Sequence, residues 1–196
     1  MAEEGRPELR QEAAHYLRQV PKLKRNFGGK RAFHEKLVIE KSKQFADHPE
    51  KFIMAILDLM YIWNCFTLAS YKDQCLPNLM AKIEQRMESV NKDHDIDTYS
   101  RLTFMKGVCL AHGKSPLLAV ECFYEVLDFE KFVRIDHNLA PQACFEIGLV
   151  YRRMGDPAEA KKWLGKCKNY HNYITETMIN FRSQLAVQSL NELENK

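Results

Sequence analysis

The chain has 196 residues, 45% of them apolar and 28% charged, which fits a folded chain with one sizeable core and excludes a disordered or fibrous one. Its formal net charge of +3 is too small to argue for nucleic acid by itself. The six cysteines form no C-x-x-C pair, and neither a secretory leader nor an N-x-[ST] sequon is present, so reduced thiols in the cytosol or nucleus are expected.

Residues 1–7 are polar, hold Gly5 and Pro7, and should be loose. Leu9, Ala13, Tyr16, Leu17 and Val20 then recur at helical spacing until Pro21 ends the stripe. Residues 21–32 form a basic connector with Gly28-Gly29. The segment 18–43 around it carries Arg18, Lys22, Lys24, Arg25, Lys30, Arg31, Lys36, Lys41 and Lys43 against only Glu35 and Glu40, so it is +7 and the remainder about −4. A short helix over 33–46 presents Phe33, Leu37, Val38 and Phe45, and His48-Pro49 stops it, because proline disfavours a helical residue before it. Residues 51–71 are apolar nearly all round, which suits a core helix or a membrane span. Asp58 near the middle favours the core helix, since an acid at the bilayer centre costs about 2.5–3.5 kcal/mol. Pro77 opens the next helix in its first turn, and Leu79, Ile83, Met87 and Val90 lie along one face. Residues 91–97 read as a polar loop.

A pattern then occurs twice, 41 residues apart. The first copy is Phe104, Gly107, Val108, Ala111, then Ala119, Cys122, Phe123 and Val126; the second is Cys144, Ile147, Gly148, Tyr151, then Ala160, Trp163, Leu164 and Cys167. In each, the glycine precedes an alanine by 12 residues and a large apolar residue by 16. A fixed period of this size marks an array of helix pairs, which usually presents a binding surface. The first pair turns at Gly113, Ser115 and Pro116. The second turns at Gly155-Asp156-Pro157, where glycine ends one helix, aspartate caps the next and proline occupies its first turn. A last helix over 171–190 places Ile174, Met178, Phe181 and Leu185 on one face and polar residues on the other, as a cap for the array would. No strand pattern and no linker between folding units is legible, so the chain reads as all-α.

Gly148, Tyr151, Gly155, Ala160, Leu164 and Cys167 resemble the tetratricopeptide signature, with Cys144 in place of its first tryptophan and Asn172 in place of its closing proline. The period exceeds the usual one of about 34 residues because seven extra residues lie around Asp128–Asn138. Met60–Asn64, Lys106–Leu110, Asp136–Pro141, Asn169–Tyr173 with Phe181-Arg182, and the connector with Gly28-Gly29-Lys30 and Glu35-Lys36 together resemble the C-terminal part of the tetratricopeptide repeat protein 39 family, over about residues 10–190. That resemblance implies a tetratricopeptide-like solenoid of stacked antiparallel helix pairs. It divides the chain into a loose N-terminus (1–7), a divergent helical-repeat region (8–97), two recognisable repeats (98–169) and a C-terminal capping helix and tail (170–196). It implies a non-enzymatic intracellular protein, cytoplasmic or peripheral to an organelle or ciliary structure, in a family associated with lipid homeostasis or cilium assembly. It also implies a short isoform, a fragment or an incomplete gene model.

Catalytic and cofactor motifs are not found. Gly28-Gly29-Lys30 follows no strand, and Arg31 stands where a phosphate loop needs Ser or Thr. His94 with Asp93, Asp95 and Asp97 lacks the glycine and terminal glutamate of a calcium loop. Asp136 or Asn138 reads as a helix cap, and Cys109, Cys122, Cys144 and Cys167 as packed thiols; Cys75, near a helix boundary, is the cysteine of interest. No catalytic residue, metal or cofactor is therefore expected.

The function expected is a scaffold that binds a protein segment on the first helices of the pairs. Arg101, Phe104, Val108, Ala111 and His112, then Gln142, Phe145, Leu149, Arg152 and Arg153, would line that surface, with Arg152 and Arg153 placed to grip an acidic residue. Alternatively, these positions are covered by further chain. A competing reading is a peripheral organiser of anionic membrane surfaces acting through 18–43, each basic residue contributing about 1 kcal/mol; the same segment also reads as a solvated face that offsets acids elsewhere, or as a docking site for an acidic protein segment or nucleic acid. No aromatic interleaving of the nucleic-acid-binding type is present, and no transmembrane segment or nucleic-acid partner is expected.

Overall fold

The computed structural model describes residues 7–23, 33–47 and 54–194; Lys24, Arg25, Gly28, Gly29, Lys30 and Arg31 of the basic connector lie outside them. Ten α-helices and no strand occur among the described residues. The chain divides into two compact units, 1–63 and 64–196, at a point where no linker is legible in the sequence.

In the first unit α1 (Pro7–Gln19) packs on α2 (Phe33–Asp47), which is followed by α3 (Ala55–Ile62). Helix α2 buries Leu37, Ile39, Ser42 and Phe45, while Val38 is half-buried. Ser42 Oγ returns a hydrogen bond to the Val38 carbonyl at 2.6 Å, so its hydroxyl is satisfied inside the helix. Asp58 of α3 is paired with Lys41 of α2 at 3.4 Å, and both side chains are largely covered.

The single apolar helix expected over 51–71 is two short ones. Asn64 takes a left-handed conformation (φ 56°) between α3 and α4 (Cys65–Ser70), which a continuous helix does not accommodate. Leu57, Tyr61, Ile62, Phe66 and Ala69 are buried, but Ile56, Trp63 and Leu68 are exposed. Among the described residues no helix is long and apolar enough to cross a membrane.

The second unit continues with α5 (Cys75–Glu88), α6 (Ile96–His112), α7 (Pro116–Asp128), α8 (Leu139–Met154), α9 (Pro157–Lys166) and α10 (Glu176–Glu194). Helices α6 and α7 form one antiparallel pair, α8 and α9 the next. Helix α8 packs against α6 and α7, and α10 packs against α8 and α9 in the same way. The repeated glycines are where paired helices touch. A Cβ on Gly107 would lie 2.6 Å from Phe123 Cε1, and one on Gly148 would lie 2.7 Å from Leu164 Cγ. This close approach explains the spacing of 16, since Phe123 and Leu164 are the fully buried residues that fill the room. The turn at 155–157 forms as its residues dictate: Gly155 is left-handed (φ 80°), Asp156 accepts from the Glu159 amide at 3.0 Å, and Pro157 follows in the first turn.

The seven extra residues per period are tied down by side chains of the preceding repeat. Asp97, buried at the start of α6 and not in a solvated loop, accepts with Oδ1 from the amides of Arg134 (3.0 Å), Ile135 (2.7 Å) and Asp136 (3.3 Å). One period later, Asn138 Oδ1 accepts from the amide of Thr175 at 3.3 Å, and Gln142 Nε2 donates to Thr175 Oγ1 at 3.2 Å. Asp97 and Asn138 are one 41-residue period apart, and so are Arg134 and Thr175. Asn138 thus does not cap α8 with its side chain, as expected from its position, but holds the entry to α10.

The face of α10 also differs from expectation. Met178, Ile179, Ser183, Ala186 and Leu190 are buried, whereas Phe181 is 61% and Leu185 50% exposed. Ser183 Oγ donates to the Leu164 carbonyl at 2.8 Å, which fixes the buried side of α10 against α9.

Candidate functional site

The residues expected to line a binding surface separate by depth. Arg101, Phe104, Val108, Ala111, Gln142 and Phe145 are buried in this structure; Phe104 packs on Phe123 of α7, and Gln142 bonds to Thr175. His112 and Leu149 are half-buried, and Arg152 and Arg153 are exposed. The reason is local. Helix α6 sits between neighbours and is covered along most of its length, while the C-terminal turn of α8 projects past them.

These accessible side chains lie toward the C-terminal ends of α6 and α8, near Phe66 and Arg182, which the sequence reading did not assign to the surface. His112 stacks on Phe66 of α4, ring centroids 6.3 Å apart. Arg182 of α10 lies over the Phe145 ring with its guanidinium carbon 4.9 Å from the centroid, a cation–π contact that uses the buried phenylalanine as a platform. Burial, followed by the positive charges of Arg153 and Arg182, lowers the His112 pKa to about 4, so the imidazole is neutral at physiological pH. Arg152 Nη2 donates to Ser189 Oγ of α10 at 3.0 Å, which links the rims of the two helices. Glu146, which is buried beneath the surface, is an acid that acts on Arg153. The patch thus brings arginine side chains of α8 and α10 together, with Arg182 set over the Phe145 ring and Arg152 tied to Ser189. Arg182 is legible in the sequence as part of the family resemblance but not as a neighbour of these residues, because its helix lies next to α8 only through the period of the array.

Among the described residues no group of three or more His, Cys, Asp or Glu is placed to hold a metal ion. Burial pushes the thiols of Cys109 up to about 12 and of Cys122 and Cys144 up to about 11, and raises Cys167, away from the reactive thiolate range. Cys75 is half-buried. In the basic segment, Lys43 pairs with Glu40 at 3.4 Å as Lys41 does with Asp58.

The model of the family described as Iml2/Tetratricopeptide repeat protein 39 matches residues 1–112. The chain belongs to that family. It is also 28% identical over 189 residues to Tetratricopeptide repeat protein ttc-39B of Caenorhabditis elegans, a similarity that covers 96% of this chain and 32% of the relative. The chain thus spans about a third of the length of that relative. No solved structure matches the chain. The family match covers the divergent helices and α6, and the similarity to ttc-39B carries it across the later repeats.

Proposed function

We propose that this member of the Iml2/Tetratricopeptide repeat protein 39 family is a binding scaffold rather than an enzyme, and that it holds an acidic segment of a partner protein on the patch formed by His112, Leu149, Arg152, Arg153 and Arg182. The observation that carries the reading is that Arg153 of α8 and Arg182 of α10 both act on a neutral His112, with Arg152 tied to Ser189 of α10 on the same pair of helices. Guanidinium groups held in fixed orientation suit bidentate recognition of carboxylates. Leu149 supplies apolar contact beside them. Lipid homeostasis and cilium assembly, which the family resemblance implies, are the settings in which to seek the partner.

The test is a paired substitution, Arg152→Glu with Arg153→Glu, both at exposed positions, so the fold should persist by circular dichroism. Proximity labelling in cells should lose the partners that the unaltered chain enriches. An unchanged partner list with an intact far-ultraviolet spectrum refutes the proposal. Phe145 is unsuited to this test because its removal would damage the core.

A further inference from the structure

Helix α10 stands as the first helix of a third pair, with no second helix beside it among the described residues. Its contacts to α8 and α9 repeat those of α8 to α6 and α7. Its entry is held by Asn138 as the entry to α8 is held by Asp97, one period earlier. Adding 41 to the residues of α8 that face α9 therefore gives the open face of α10. Ala140 becomes Phe181, Cys144 becomes Leu185, Ile147 becomes Gln188 and Gly148 becomes Ser189. Ala140, Cys144 and Ile147 are all buried in the α8–α9 pair, whereas Phe181 and Leu185 are 61% and 50% exposed on α10. At the glycine register α10 keeps a small residue, Ser189, whose hydroxyl is turned to Arg152.

We propose that the Phe181–Leu185–Ser189 face of α10 receives an amphipathic helix from a partner protein, seated antiparallel in the position that α7 and α9 hold against α6 and α8. The array itself defines the occupant. Each of its own second helices offers an alanine and, four residues on, a large apolar side chain: Ala119 with Phe123, Ala160 with Leu164. The visiting helix needs the same pair, a small residue where the backbones approach and a large one four positions later. Its direction follows from charge. One turn beyond Ser189, near its C-terminal end, α10 exposes Glu192, and an antiparallel helix brings its partially positive N-terminus to that carboxylate. This surface meets the arginine patch at Ser189, to which Arg152 donates, while Phe181 and Leu185 lie outside that contact, so different substitutions test the two.

The probe is a fluorescein-labelled peptide of residues 155–168 of this chain, the turn and helix that fill the equivalent position on α8, carrying Lys166→Glu so that a lactam bridge, formed with loss of water between the Lys162 amine and the new carboxyl group, holds it helical. Added to the intact chain, it should bind saturably by fluorescence anisotropy. Leu185→Asp in the chain, or Leu164→Asp in the peptide, should weaken binding at least tenfold. Phe181→Ser is the second chain variant; both chain positions are exposed, so folding is preserved, as circular dichroism would verify. Absence of saturable binding overturns the proposal, as does binding that Leu185→Asp and Phe181→Ser leave unchanged. Sedimentation velocity tests another occupant: a dimer that Leu185→Asp converts to a monomer would assign the face to a second copy of this chain and overturn the partner-helix reading.

Discussion

Gly148→Ala is the substitution that most directly probes how the paired helices are held. Two effects of opposite sign meet at this residue. Alanine in a helix interior is better than glycine by about 1 kcal/mol. Against that, the new methyl would stand 2.7 Å from Leu164 Cγ, 2.9 Å from Cδ2 and 3.1 Å from the Leu164 backbone nitrogen. Leu164 is fully buried, and its branch point and backbone cannot move aside as the tip of a long side chain would. Overpacking of this kind costs about 1–3 kcal/mol, and contact with a branch point and backbone places it in the upper half of that range. The net expectation is a loss of about 1–2 kcal/mol, from the difference between these two effects. Gly165 supplies the control, because a Cβ there meets nothing within 4 Å; Gly165→Ala should stabilise by up to about 1 kcal/mol. Urea unfolding followed at 222 nm gives both values. Leu164→Ala should cost about 2–5 kcal/mol alone. In its background Gly148→Ala should cease to harm and begin to help, a coupling of about 2 kcal/mol. If Gly148→Ala raises the urea midpoint as Gly165→Ala does, close approach is not why the glycine is there.

Three other outcomes are expected. Asp97→Ala leaves three backbone amides of the 134–136 segment without their acceptor and should cost about 3 kcal/mol or more, while Asn138→Ala, which loses a neutral acceptor, should cost about 1–2 kcal/mol, both read from urea midpoints. His112 has its folded pKa at about 4, below the unfolded value, so the unfolded chain takes up its proton first and stability falls as pH drops from about 6.5 toward 4. With allowance for solvent screening, that is about 1 kcal/mol between pH 6.5 and 5, and His112→Gln should remove this part of the slope; an unaltered slope would show that His112 titrates normally. Finally, Cys109, Cys144 and Cys167 should resist an aromatic disulfide reagent in the folded chain, and all six cysteines should react once it is unfolded; rapid reaction of six thiols in native buffer would contradict the packing.

What was legible in the sequence depended on whether the cause was local. The Gly155-Asp156-Pro157 turn is read from three adjacent residues, and each does in the structure what its own chemistry dictates. The glycine–alanine–large pattern is legible because both helices of a pair are close in sequence and the contact repeats. Asn64 gives no such warning: its neighbours are apolar on both sides, and only its left-handed backbone breaks the expected helix. Asp97 was misread as a loop acid because its partners lie one repeat away, beyond any local window. The buried face of α10 was misassigned for a related reason. Phe181 and Leu185 are apolar and correctly spaced, but the choice of face belongs to α8 and α9, which take Ile179, Ser183 and Ala186 instead. At the arginine patch, Arg152 and Arg153 followed from register, whereas Arg182 depended on where the next helix docks.

The ties from Asp97 and Asn138 give the array a direction of dependence. Each one runs from the start of one repeat forward to the entry of the next, so a later repeat relies on an earlier side chain for its backbone amides, and an earlier repeat only lends an acceptor. Shortening the chain from its C-terminal end leaves an oxygen that water can satisfy. Shortening it from the front strips amides that have no substitute at hand. Length variation in chains built this way should therefore accumulate at the back of the array, where adding or losing a pair leaves every remaining loop still anchored.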